Sequence, residues 1–224
     1  MDSDNWKMKL EVLIQQKLNR EPAILDREEY FNSVVLMLLI KIEGEYHFIF
    51  QKRASTIRQG GEISFPGGKH EESDKTYEYT ALRETSEEMG IAENKITILG
   101  SLGTLVGPMG VIIDTFVGIT DISIDHIQAN PDEVEKIFTV PVEYFIKNQP
   151  ERYYATVQFH PSHTDEKTKQ EIVSFPADIL GLPEGYKKPW GKRKYSILVY
   201  KTQEEVIWGL TAKLIDNFVK KVMQ

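Results

Sequence analysis

The pattern of apolar and polar residues divides the chain into strands and helices that alternate. Two β-rich runs, residues 34–40 and 46–52, flank a short polar segment, which predicts a β-hairpin. Residues 96–106 and 111–119 predict two further strands, joined across a Gly-Pro-Met-Gly turn. The remaining β-rich runs are short or aromatic and cover residues 62–65, 153–159 and 195–200. Because helical patterns lie between these runs, the chain predicts a mixed sheet with helices on both faces.

Three segments have the apolar spacing of amphipathic helices. Residues 5–19 form the first, and we expect that helix to dock on the body of the domain. Residues 76–89 contain neither Gly nor Pro and are followed by Gly90, a typical C-terminal residue after a helix. The third segment covers residues 204–222, and its Trp208 is expected in the core. A helical turn is also expected at residues 130–132, and a short helix from Pro141.

Composition and charge exclude several classes of function. The 224 residues contain no cysteine, which excludes a disulfide scaffold, a Cys-ligated zinc site and a thiol nucleophile. The net charge of −7 argues against a general nucleic-acid or anionic-membrane binder. The longest apolar run, residues 34–40, is far shorter than the ~20 residues of a membrane span. Residues 1–20 lack the apolar stretch of a secretory leader, so a cytoplasmic protein is expected.

A cluster of acidic residues near the middle of the chain is the main candidate for chemistry. Glu84, Glu87 and Glu88 lie three and four residues apart, which places their carboxylates on one helix face. Such clusters are often only solvated surface. Here the Gly67–Gly68 pair precedes the helix, and glycines let the backbone approach an ion or a phosphate closely. The combination favours a divalent cation bound by oxygen ligands, with Arg83 bracing one carboxylate.

The segment from Gly68 to Ile91 resembles the Nudix box, the motif of a family that hydrolyses diphosphates linked to a nucleoside. The positions that match the motif are Gly68, Arg83, Glu84, Glu87, Glu88, Gly90 and Ile91. Two positions depart from it. Asp74 stands where Glu is usual and is one residue further from Arg83, and Thr85 replaces an apolar residue. Neither departure alters the Arg-Glu and Glu-Glu pairs of the motif.

The resemblance implies a Nudix-type α/β/α sandwich, an α/β fold with a mixed sheet and flanking N-terminal and C-terminal helices. It divides the chain into an N-terminal helical extension, residues 1–25, and a Nudix hydrolase domain, residues 26–224. It implies Mg²⁺ or Mn²⁺ as cofactor, with metal ligands Glu84, Glu87, Glu88 and the Gly67 carbonyl. The implied catalytic residues are Arg83, Glu84, Glu87, Glu88 and Glu133. The general base stays open between a helix glutamate and Glu133.

A second pattern precedes the box and resembles the signature of coenzyme A pyrophosphatases. The matching positions, in kind, are Arg53, Arg58, Gly61, Phe65, Pro66, Gly67 and Gly68. Arg58 and Gly61 are separated by two residues where the signature has three, which makes the role of Arg58 less secure than that of Arg53. Residues 131–141 and 207–212 resemble later segments of the same family. The implied substrate-binding residues are Arg53, Arg58, Phe65, Pro66, Gly67 and Gly68.

The resemblance therefore implies metal-dependent hydrolysis of the diphosphate of coenzyme A or acyl-coenzyme A. Arginine suits this substrate, because guanidinium groups bind phosphate oxygens bidentately. Two rivals stay open: a Nudix hydrolase of another nucleoside diphosphate derivative, such as ADP-ribose or a dinucleotide, and a non-catalytic nucleotide-binding regulator. The expected partner is a small molecule, with no nucleic acid and no membrane, and the chain could form a homodimer.

Overall fold

The computed structural model describes residues 23–223, together with residues 10, 12, 14 and 16. The chain separates into two compact units, residues 1–30 and 31–224. In the first unit, Arg27–Glu29 forms a 3₁₀ turn. The helix predicted over residues 5–19 lies outside the described residues, except at those four positions, which are helical and exposed. The division at residue 25 stays a prediction.

The second unit contains twelve strands and three α-helices within residues 31–223. The strands are β1 (Phe31–Ile42), β2 (Glu45–Arg53), β3 (Ile63–Ser64), β4 (Gly67–Lys69), β5 (Ile96–Gly107), β6 (Val111–Thr120), β7 (Val134–Pro141), β8 (Glu151–Phe159), β9 (Ser162–Thr164), β10 (Glu171–Val173), β11 (Trp190–Lys201) and β12 (Val206–Trp208). The helices are α1 (Tyr77–Met89), α2 (Val142–Lys147) and α3 (Gly209–Met223).

The main sheet has seven strands and is mixed. Its central order is β3-β2-β1-β6-β5, with β4 paired to β1 and β7 paired to β2. The predicted hairpins β1–β2 and β5–β6 are both antiparallel pairs, whereas β1 and β6 run parallel over residues 31–40 and 111–120. A second sheet has the order β12-β11-β8. The predicted mixed sheet is therefore confirmed.

Helices cover both faces of this sheet because the side chains of β1 alternate between two cores. Val34, Leu36 and Leu38 pack in the core that contains Ala81 and Met89 of α1. Met37 and Leu39 face the opposite core, which contains residues of α2 and α3. Six phenylalanine rings concentrate in that second core: Phe48, Phe50, Phe65, Phe138, Phe145 and Phe218. This arrangement is the α/β/α sandwich.

The helix that bears the acidic cluster is capped at both ends, and its end at Gly90 is the one that the sequence predicts. The Thr76 hydroxyl accepts a hydrogen bond from the Tyr79 N–H at 3.1 Å and caps the first turn of α1. Gly90 ends the helix with a left-handed φ of 67°, which glycine adopts without steric cost. Thr85 takes the position of the usual apolar residue. It is fully buried, and its hydroxyl donates to the Ala81 carbonyl at 2.7 Å.

Three of the predicted elements differ in the structure. Residues 206–208 form strand β12, so the last helix begins at Gly209 rather than near residue 204. Ile207 takes the core position there, and Trp208, which was expected in the core, is 47% exposed because successive strand residues face opposite sides. Residues 131–133 form a turn without a helix. Pro141 is the last residue of β7 and lies directly before α2. It therefore occupies the N-cap position of that helix and not its first helical position.

Candidate active site

Four segments of the second unit meet around the acidic end of α1, the C-terminal half of the helix that bears Glu84, Glu87 and Glu88. They are the loop after β2, the glycine pair of β4, helix α1 and the turn before β7. The backbone N–H of Asn130 donates to the Glu88 carbonyl at 2.9 Å, and the Ala54 N–H donates to the Glu133 carbonyl at 2.8 Å. The turn that contains Glu133 is therefore joined both to the helix and to the loop that begins after Arg53.

Arg83 lies at the centre of three carboxylates. Its Nε and Nη2 atoms donate to the two oxygens of Asp74 at 2.9 and 3.0 Å. Its Nη1 atom donates to Glu87 at 2.9 Å, and Nη2 also lies 3.0 Å from Glu84. The planar guanidinium suits such a set of bidentate contacts. Arg83 thus neutralises and positions the carboxylates that the helix brings together.

Asp74 is a residue whose role the sequence alone does not indicate. Its carboxylate is almost completely buried and also accepts hydrogen bonds from the Glu71 N–H at 3.0 Å and the Thr80 hydroxyl at 2.9 Å. The Arg83 hydrogen bonds hold the pKa of Asp74 well below its usual range, although burial opposes them. Asp74 thus holds both the loop before α1, through Glu71, and the Arg83 side chain.

We expect Asp74→Asn to lower the free energy of unfolding at pH 7 by about 2 kcal/mol, because charge-assisted hydrogen bonds are lost. The pKa of Asp74 is lower in the folded state, so its stabilisation is complete above the unfolded pKa of about 4 and is lost as the pH falls below that value. Urea titrations at pH 7 and pH 3 measure this difference. Asp121→Asn, on an exposed aspartate, is the control, and an equal loss in both variants would contradict the assigned role.

Glu88 is the most deeply buried of the three glutamates, with 2% of its surface exposed. Its Oε2 atom accepts a hydrogen bond from the Gly67 N–H at 2.8 Å, and its Oε1 atom lies 3.7 Å from Nη1 of Arg53. Burial raises the pKa of Glu88 to about 7, although the Gly67 N–H and Arg53 oppose this shift. The fully buried side chain of Gln51 approaches Glu88, but neither amide atom makes a hydrogen bond within the described part of the chain.

Glu84 lies directly against the glycine pair. A side chain at Gly68 would overlap the Glu84 carboxylate, and one at Gly67 would overlap the carbonyl oxygen of Val34. Burial raises the pKa of Glu84, and the charges of Glu87 and Glu133 add to this shift, while Arg83 opposes it. Gly68 therefore leaves room for the Glu84 carboxylate, Gly67 lets β4 approach β1 closely, and Glu133 lies near enough to raise the pKa of Glu84.

The two glycines should respond differently to substitution. The added Cβ of Gly68→Ala meets the end of the Glu84 side chain rather than backbone, so the fold should survive while the turnover of the proposed reaction falls by about a hundredfold as that carboxylate is displaced. Gly67→Ala meets backbone and should lower the free energy of unfolding by about 3 kcal/mol or more. Thermal melts and steady-state rates separate the two effects. Gly185→Ala, which meets no atom, is the control. A Gly68→Ala protein of normal activity would contradict the importance of this contact.

Arg53 and Arg58 both line a cavity of about 140 Å³ that begins at Gly67. Arg53 Nε donates to the Arg58 carbonyl at 3.3 Å, while the exposed Arg58 places its guanidinium 5.0 Å from the centre of the Phe31 ring. Phe65 lines the same cavity but is buried among Phe48 and Phe50. Pro66 is buried, and its carbonyl accepts the Leu36 N–H at 2.9 Å. The two arginines are thus among the polar residues that line the cavity, together with Glu62, while Phe65 forms part of its apolar wall.

The acidic residues suit a hard divalent cation. Burial raises the pKa of both Glu84 and Glu88, and nearby carboxylates add to each shift: Glu87 and Glu133 act on Glu84, and Glu84 acts on Glu88. The buried Gln51 amide beside Glu88 lacks a hydrogen-bond partner within residues 23–223. A cation would favour the charged form of both carboxylates and so offset the cost of burying them. Among the described residues, no three acidic or histidine side chains are already arranged as a metal cage. Arg83 holds Glu84 and Glu87, so a cation would compete with it for these carboxylates.

Comparison with known proteins identifies the family. The NUDIX domain model matches residues 31–161, more than half of the chain, and the chain therefore belongs to the Nudix family. Nudix hydrolases generally use divalent metals such as Mg²⁺ or Mn²⁺. The expected family and its fold are thereby confirmed. The individual site residues, the homodimer and the Gly67 carbonyl as a ligand stay predictions.

Three relatives place the chain within this family. It is 27% identical over 209 residues to the uncharacterized Nudix hydrolase NudL of Photorhabdus laumondii, covering 93% of each chain. It is 34% identical over 121 residues to the peroxisomal coenzyme A diphosphatase NUDT7 of Mus musculus, covering 54% of this chain and 50% of that one. It is 29% identical over 125 residues to the mitochondrial coenzyme A diphosphatase NUDT8 of Homo sapiens, covering 54% and 53%. The chain thus spans about half the length of the two diphosphatases.

The two coenzyme A diphosphatases are named for different compartments: NUDT8 is mitochondrial and NUDT7 is peroxisomal. The cytoplasmic location expected from the sequence therefore stays a prediction. Within the part of the chain that the structure describes, every helix is too short or too polar to cross a membrane.

Proposed function

We propose that this protein hydrolyses the diphosphate of coenzyme A or an acyl derivative, releasing 3′,5′-ADP and 4′-phosphopantetheine or its acyl form. The observation that supports this substrate most directly is the pair Arg53 and Arg58 in one cavity, next to Gly67 and the acidic end of α1. Both arginines belong to the segment that resembles coenzyme A pyrophosphatases. The similarity to two coenzyme A diphosphatases supports the same substrate.

The residues of the site have distinct roles in this proposal. Glu84, Glu87 and Glu88, with the Gly67 carbonyl, would hold Mg²⁺ or Mn²⁺, which when bound neutralises phosphoryl oxygens and activates a water. Arg83 positions Glu84 and Glu87, and Asp74 in turn positions Arg83. Arg53 lies between Glu88 and the cavity, where it can orient the diphosphate. Glu133 or a helix glutamate accepts the proton of the attacking water.

A substrate panel tests the proposal. Coenzyme A, ADP-ribose and a diadenosine polyphosphate are compared by kcat/KM, with Mg²⁺ and with a chelator in its place. We expect coenzyme A to be the best of the three and hydrolysis to stop without a divalent metal. If ADP-ribose or the dinucleotide were cleaved more efficiently, the substrate assignment would be wrong. If the protein bound a nucleotide but cleaved none of the three, it would be a binding regulator instead.

A further inference from the structure

Gln51 is a polar residue that faces an apolar core. It lies in β2, whose side chains alternate between the two faces of the main sheet. Phe48 and Phe50 belong to the core on the side of α3, whereas Ile49 belongs to the core on the side of α1. Gln51 therefore faces α1, as Ile49 does, and it is fully buried there. A glutamine at this position needs hydrogen-bond partners that the surrounding apolar side chains do not supply.

The strands on either side of β2 show which side chain can supply such a partner. In β7, the residue paired with Gln51 is Ile137, which packs against the same apolar core. In β3, the paired residue is Ser64, whose neighbours Ile63 and Phe65 both belong to the core on the side of α3. Ser64 therefore faces α1 as Gln51 does, and the two side chains are direct cross-strand neighbours.

Both of these side chains lack hydrogen bonds in the part of the chain that the structure describes. The buried atoms without a partner are Oε1 and Nε2 of Gln51 and Oγ of Ser64. Each such atom lowers the stability of the folded protein, because it has lost its hydrogen bonds to water. These atoms belong to two neighbouring side chains, so the cost is concentrated at one place in the sheet, next to Glu88.

Glu88 lies beside the Gln51 amide. The amide is close enough to lower the pKa of this carboxylate, although the two groups are outside hydrogen-bond geometry. Glu88 already accepts the Gly67 N–H with its Oε2 atom, and Arg53 lies 3.7 Å from its Oε1 atom. A carboxylate offers about four lone-pair sites, so Glu88 can accept one more donor and still bind a cation.

We propose that Ser64 and Gln51 form a relay that positions Glu88 for the divalent cation. The Ser64 hydroxyl donates to Oε1 of Gln51, and Nε2 of Gln51 donates to the Glu88 carboxylate. Both donors then point towards Glu88, which fixes the orientation of the charged carboxylate. Ser64 and Gln51 are positioning residues, since they act on the cation only through Glu88. The inference rests on the proposed function only in the metal-binding role of Glu88, and it is independent of which nucleotide is cleaved.

The test measures Mn²⁺ binding to the full chain without substrate, from the electron paramagnetic resonance signal of free Mn²⁺. Gln51→Met replaces the amide by an apolar side chain of similar length. It should raise the Kd of Mn²⁺ about tenfold, the effect of one lost hydrogen bond to a charged group. In the presence of a chelator the variant should melt at the wild-type temperature or above it, because a buried amide without a partner is removed. A lower melting temperature with an unchanged Kd would show a purely structural role and overturn the proposal.

Ser64→Ala separates a relay from two independent effects. In the wild-type background it should raise the Kd of Mn²⁺ about threefold, whereas in the Gln51→Met background it should leave the Kd unchanged, because the hydroxyl then has no amide to orient. Ser64 also lines the arginine cavity, but a contact with substrate cannot contribute to a measurement made without substrate. Equal effects of Ser64→Ala in the two backgrounds would overturn the relay.

Thr115→Val is the matched control. The Thr115 hydroxyl is also fully buried and has no partner within residues 23–223, but it lies beside α3, on the other side of the main sheet. This variant should bind Mn²⁺ as the wild type does. Equally weakened binding in Thr115→Val and Gln51→Met would overturn the proposal, since any change in the core would then have the same effect. Failure of the proposed function is a separate result: coenzyme A would stay intact, while the Kd of Mn²⁺ would still respond to Gln51→Met.

Discussion

Glu88→Gln should lower kcat by about a thousandfold while the fold survives. The substitution keeps the size of the side chain and an oxygen that can accept the Gly67 N–H, but it removes a negative ligand from the proposed metal site. Because the carboxylate is 2% exposed, its replacement by an amide also removes a desolvation cost. The metal-free variant should therefore unfold at the same temperature as the wild type or at a higher one.

The measurement is turnover at saturating Mg²⁺, together with thermal melts in the presence of a chelator. Glu72→Gln is the matched control, since Glu72 is an exposed glutamate of the loop before α1 and lies outside the motif. It should change neither quantity. Near-normal hydrolysis by Glu88→Gln at saturating Mg²⁺ would show that the metal assignment is wrong.

The second large effect concerns the 3′-phosphate of coenzyme A, which ADP-ribose and most dinucleotides lack. We expect kcat/KM for coenzyme A to exceed that for its 3′-dephospho form by about ten- to hundredfold, the value of one charge-assisted phosphate contact of roughly 1.5–3 kcal/mol. The resemblance to coenzyme A pyrophosphatases leads us to expect Arg53 as the residue that binds this phosphate, but its proximity to Glu88 makes Arg58 the better candidate. The structure places Arg53 3.7 Å from Glu88, whereas the Arg58 guanidinium is exposed and stacks on Phe31.

The two arginine variants separate these roles. Arg58→Ala should compress the preference for the 3′-phosphate, and Arg58→Lys should restore part of it, because lysine keeps the charge without the bidentate geometry. Arg53→Ala should lower the efficiency on both substrates alike, since it removes the cation next to Glu88. If Arg53→Ala compressed the preference and Arg58→Ala left it intact, Arg53 would be the phosphate reader. Equal efficiency of the wild type on the two substrates would remove the argument for 3′-phosphate recognition.

Much of the fold could be predicted because the relevant signals are local. The β-rich runs of β1 and β2, the Gly90 end of α1 and the spacing of its glutamates each depend on neighbouring residues. The last helix was predicted to begin near residue 204 and not at Gly209, because the pattern of residues 204–208 fits both a helix and a strand. The strand there is set by pairing with β11, a contact that no local pattern contains.

The organisation of the candidate site depends on contacts distant in sequence, so the motif residues could be predicted but their mutual arrangement and their buried neighbours could not. Asp74 is a departure from the motif when it is considered alone, and it acquires a role only through Arg83 and Thr80. The buried position of Gln51 beside Glu88 depends on how β2 meets α1.

The proposed hydrolysis of the coenzyme A diphosphate can be tested directly by analysing the products of a single reaction. Coenzyme A is incubated with the protein and Mg²⁺ in ¹⁸O-labelled water, and the products are separated and weighed by mass spectrometry. We expect 3′,5′-ADP and 4′-phosphopantetheine in equal amounts, with a single ¹⁸O atom in one of the two products. The Glu88→Gln variant should form neither product in the same time. Intact coenzyme A after prolonged incubation, or cleavage at any bond other than the diphosphate, would contradict it.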